Sequence, residues 1–70
     1  MNHSQLVSVW IRNRGSSFVY RVVSDKPITM EGVVKYFVDD RDFDFDKDTD
    51  KLMFIDEVTG INLVGWVYLQ

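Results

Sequence analysis

Aspartate occupies every even position from 40 to 50, and these six carboxylates are the densest concentration of one chemistry in the chain. In extended backbone, residues i and i+2 share a face and stand about 6.8 Å apart. Asp40, Asp42, Asp44, Asp46, Asp48 and Asp50 would then line one side of the segment, with Phe43 and Phe45 on the other to anchor it. Successive phosphates of a DNA strand advance about 3.4 Å along the axis, and the helical path widens this to roughly 6–7 Å. An extended run would match that spacing. It would also cost about 0.6 kcal/mol per neighbouring pair in water before screening, at a separation inside the ~8 Å Debye length of physiological salt. Aspartate is disfavoured in strands as well. Either function retains the row, or the segment is a solvated loop of like charges.

The same residues admit a cation reading. Counting from Asp46, the carboxylates of Asp46, Asp48 and Asp50 fall at loop positions 1, 3 and 5, and Glu57 falls at position 12. That is the ligand spacing of an EF-hand calcium loop. Lys51 stands where the turn glycine belongs, and residues 51–55 read as strand where a helix should flank the loop. Calcium on these four residues is the weaker alternative, and no metal or other cofactor is expected.

Catalytic chemistry is thinly represented. The lone histidine, His3, sits in a polar terminal stretch expected to be mobile, and the chain has no cysteine. No Ser-His pairing has an orienting scaffold. Gly15, Gly32, Gly60 and Gly65 are isolated, so no phosphate-cradling loop exists. A solvent-facing row of aspartates lacks the two contrasting environments that acid and base roles require. The expectation is a binding protein, not an enzyme. Arg12, Arg14, Arg21 and Lys26 cluster around Trp10, Phe18 and Tyr20, a mixture found on single-strand-binding surfaces. The competing reading places those aromatics in the core, and the net negative charge disfavours phosphate.

The elements that must position these residues follow from periodicity. Residues 6–12 alternate as a strand, with Val7, Val9 and Ile11 on one face. Residues 13–16 supply turn chemistry through Gly15, and residues 18–23 return as the second strand of a hairpin. Thr29 is a helix N-cap candidate, Glu31 suits the first turn, and Met30, Val33, Val34 and Phe37 share a helical face over residues 30–38. Residues 51–56 read as a third strand, 58–60 as a turn and 62–69 as the last strand. In that strand Leu63, Val67 and Leu69 face one way, and Val64, Trp66 and Tyr68 the other. Both faces are apolar, which implies cover on both sides. One short helix covers only one face of a small sheet, so the second face is expected to meet another subunit. Trp66, Tyr68 and Val64 are the candidate homodimer interface. The predicted fold is α+β: a small antiparallel sheet of about four strands with one short helix, in ββ-α-ββ order.

Seventy residues imply one domain, residues 1–70, with a thin margin of stability. The 46% hydrophobic and 14% aromatic shares are ample for a core. No apolar run approaches the roughly 18 residues that span a bilayer. With no signal-peptide pattern and no cysteine, a cytoplasmic protein that does not use a membrane is expected. The net charge of −3 hides an asymmetry: residues 1–38 sum to +3, residues 39–57 to −6, and the last thirteen carry no charged side chain. Charge distribution of this kind governs association more than fold.

In its size, acidity and lack of cysteine, the chain resembles the small proteins that bacteriophages use as DNA mimics to inhibit host DNA-binding proteins. The resemblance rests on Asp40, Asp42, Asp44, Asp46, Asp48 and Asp50. It implies host takeover in the host-cell cytoplasm. The partner would be a basic DNA-binding protein such as a nucleoid protein of the HU type, a polymerase, a restriction enzyme or a repair enzyme. The binding row would extend to Asp56 and Glu57, with no direct contact to nucleic acid. The competing class is a protein-interaction or assembly module that uses an aromatic sheet face with Trp10, Trp66 and Tyr68.

Overall fold

A computed structural model describes residues 2–40, 43, 45–56 and 63–69. Its elements run β1 (His3–Ile11), a 3-10 turn (Arg12–Arg14), β2 (Ser16–Ser24), α1 (Met30–Asp39), β3 (Lys51–Ile55) and β4 (Leu63–Leu69). The fold is α+β, with one helix on a four-stranded sheet of order β3-β1-β2-β4. β1 and β2 form the expected hairpin, in register from His3 opposite Ser24 to Ile11 opposite Ser16. Gly15 closes it in the left-handed region at φ 62°, where a side chain would be strained.

Two expectations need correction. The sheet is mixed, not antiparallel: β3 pairs antiparallel with β1, but β4 runs parallel to β2 on the opposite edge. The turn expected at 58–60 lies outside the described residues. His3, expected in a mobile terminus, is the first residue of β1.

Strand alternation sorts the side chains. Val7, Val9, Ile11, Val22 and Val67 are buried toward α1, joined by its Val33 and Phe37. Thr29 caps the helix as its type suggested: the Gly32 amide donates to Thr29 Oγ1 at 3.1 Å. Phe43 and Phe45 continue the packing beyond the helix. Phe43 lies 4.5 Å from the Phe37 ring centroid and 5.6 Å from that of Tyr20, and Phe45 is buried. The phenylalanines between the aspartates therefore anchor that segment to the core.

No described helix is long and apolar enough to cross a membrane.

Candidate functional site

Over residues 46–50 the acidic segment is a tight turn and not an extended row. The amides of Thr49 and Asp50 donate to the Asp46 carbonyl at 3.2 and 2.8 Å. The Asp48 amide donates to Asp46 Oδ1 at 2.9 Å, an Asx-turn hydrogen bond. Asp50 is buried, and both its oxygens are occupied. Its Oδ1 accepts from the Arg12 amide at 3.0 Å and the Thr49 hydroxyl at 3.1 Å, and its Oδ2 from the Asp46 amide at 2.9 Å. These bonds hold the Asp50 carboxyl below its ordinary pKa, with the Asp46 amide contributing most and the Arg12 amide next. Asp50 is thus a bracket that ties the turn to the end of β1.

This corrects the geometry expected for the run. Asp46, Asp48 and Asp50 do not share one face at strand spacing, because the chain curls through them. Asp46, Asp48 and Asp56 are exposed, and Asp40 is the half-buried C-cap of α1. Asp42, Asp44 and Glu57 lie outside the described residues, so the twelfth position of the calcium reading does too. Among the described residues, no three acidic, histidine or cysteine side chains converge as a metal site.

The basic and aromatic cluster around the first hairpin is split between two faces. Phe18 and Tyr20 pack against the core on the helix side, and the Arg14 guanidinium carbon lies 5.9 Å from the Phe18 ring centroid. Trp10 and Arg21 belong to the opposite side, which α1 leaves uncovered.

That second side holds the feature with the clearest potential for recognition. Cross-strand pairing places Trp66 beside Arg21 and Tyr68 beside Val23. Arg21 Nη1 donates to Ser4 Oγ at 3.4 Å, and its guanidinium carbon stands 5.8 Å from the Trp66 ring centroid, a cation–π contact that orients the indole. Even so, Trp66 remains 57% and Tyr68 68% exposed. Leu63 and Val64 are exposed too, as is Met53 on β3 at the other edge. The last strand was expected to be covered on both sides; instead it is an edge strand with one side buried through Val67. An irregularity between Val19 and Tyr20 in the pairing sets Leu63 opposite Val19 and Gly65 opposite Tyr20. This offset takes Leu63 out of the Val67 and Leu69 face, where simple alternation had put it. Leu6 and Val19, on the central strands of the same side, are buried. Among the described residues, four of the seven exposed large apolar side chains lie on β4, the others being Met53 on β3 and Met30 and Val38 on α1.

No family model, curated protein or solved structure matches this chain.

Proposed function

We propose that this chain is a non-catalytic protein-interaction module that binds through β4. The observation that carries the reading is four large apolar side chains, Leu63, Val64, Trp66 and Tyr68, all exposed on a seven-residue edge strand without a charged side chain. Large exposed apolar patches mark interaction surfaces, and tryptophan and tyrosine are the residues most enriched at binding hot spots. Two things weigh against the decoy role that the acidic run suggested. That role needs carboxylates in line, whereas residues 46–50 curl. Asp50 is also committed to backbone amides. No cavity is found among the described residues that would favour a small-molecule substrate. A reducing compartment such as the cytoplasm suits a chain without cysteine.

The test places a photo-crosslinking residue at position 68, or at the exposed helix position 35 as a control, in cells that make the protein. Position 68 is expected to yield discrete protein adducts that disappear when Trp66→Ser is added, while position 35 yields none. Equal labelling from both positions, or none from position 68, would refute the reading.

A further inference from the structure

Resting on that reading, we infer that the partner of β4 is a second copy of the chain, joined edge to edge and antiparallel, so that two four-stranded sheets become one sheet of eight strands. Among the described residues β4 has a strand neighbour on one side alone, β2. Alternate amides and carbonyls along its other side point away from the sheet, a template for one more strand. Natural sheets blunt such edges with lysine, proline, bulges or short length. β3, the opposite edge, follows this rule, with five residues opening on Lys51. β4 has neither charge nor proline across its seven residues, and its one irregularity lies at its start.

Symmetry restricts the register. With a two-fold axis perpendicular to the sheet, residues facing each other must belong to the same side, so their numbers add to an even total. A pairing centred on Trp66 sets Trp66 opposite its own copy and Val64 opposite Tyr68, gathering the exposed aromatics on one side. It also sets Gly65 opposite Val67, and a Cβ at Gly65 would meet nothing within 4 Å, so the junction is not crowded there.

The size is sufficient. Leu63, Val64, Trp66 and Tyr68 are 42%, 54%, 57% and 68% exposed. At about 200 Å² per large side chain they offer roughly 440 Å² per copy. Two copies with the strand backbone reach at most about 1,000 Å², the lower bound for a specific interface. An uncharged strand meeting itself has no charge to mismatch. A cysteine-free chain of this length also gains the partner-chain staple that small domains use.

The chain's lack of cysteine makes the test direct. Residues opposite each other in an antiparallel pair have Cα atoms about 4.5–5.5 Å apart, within disulfide reach. Under mild oxidation of the full chain, Val64→Cys combined with Tyr68→Cys, which keeps the indole, is expected to cross-link into a covalent dimer, while Met53→Cys on the opposite edge stays monomeric. Positions 64 and 68 are about 13 Å apart within one strand, so any disulfide between them is intermolecular. Sedimentation equilibrium of the unsubstituted chain is expected to show a dimer that Val64→Lys converts to monomer with an unchanged circular-dichroism spectrum. Cross-linking through Met53→Cys alone would overturn the edge pairing. A chain that stays monomeric at millimolar concentration, while a crosslinker at position 68 still marks another protein, would overturn self-pairing but leave the protein-binding reading standing. Saturable quenching of tryptophan fluorescence by a single-stranded DNA oligonucleotide, with no dimer, would overturn both.

Discussion

Both oxygens of Asp50 accept hydrogen bonds, from the Arg12 and Asp46 amides and the Thr49 hydroxyl, so its charged form is favoured in the fold. Its folded pKa lies below the ordinary aspartate value of about 3.8. Asp50 therefore stabilises the protein above about pH 4, and that contribution is lost as pH falls through the lowered folded value. Asp50→Asn is expected to lower Tm by a few degrees at pH 7 and to flatten the fall in stability below about pH 4. Thermal melts across that range check it, and superimposable melts at pH 7 would show that the turn stands without the carboxylate. The sequence displayed these carboxylates but not their use. The even spacing of 40–50 fits an extended row, yet Asp and Thr also supply Asx turns, and that local preference prevailed over residues 46–50. The bond from Asp50 to Arg12 spans 38 positions, which no local pattern can announce.

Elements whose signals are local were legible. Thr29 with Glu31 marked the start of α1, and Val33 and Phe37 its buried face, as the structure has them, with Val34 half-buried beside them; Met30, expected on the same face, is exposed. Truncating the cap, Thr29→Ala, is expected to cost about 1 kcal/mol of stability. Urea melts would measure it, with the dimer fraction unchanged at concentrations where the chain is folded; no loss would mean that the Gly32 amide finds water equally well. The hairpin was legible for the same reason, with Gly15 at the position of its turn that takes positive φ. The placement of β4 was not. A short link after β3 with turn residues suggests a hairpin, yet β3 and β4 occupy opposite edges and β4 lies parallel to β2. Partner choice between strands depends on which faces α1, Phe43 and Phe45 cover, which is a tertiary matter. The exposure of Trp66 and Tyr68 follows from that placement: the same residues in a central strand would have had neighbours on both flanks.

At the scale of the molecule, two surfaces compete to explain association: an acidic turn and an apolar edge. They respond to salt in opposite ways. Ion pairing between a carboxylate surface and a basic partner weakens steeply as ionic strength rises and the Debye length shrinks from ~10 Å at 0.1 M to ~3 Å at 1 M. Burial of Trp66, Tyr68, Leu63 and Val64 displaces water from apolar groups and is not screened. Two copies, each carrying a net charge of −3, repel one another, so salt should relieve that repulsion and tighten the pair. Replacing the exposed Asp46, Asp48 and Asp56 with Asn removes three negative charges from each chain and should act in the same direction. The expected result is a dimer dissociation constant that falls modestly, by less than about tenfold, between roughly 0.1 and 1 M NaCl. The triple Asn variant should reach the same value already at low salt. Sedimentation equilibrium at both ionic strengths measures it. A constant that rises with salt, or a triple variant that no longer associates, would place the attraction in the carboxylates and take it away from β4.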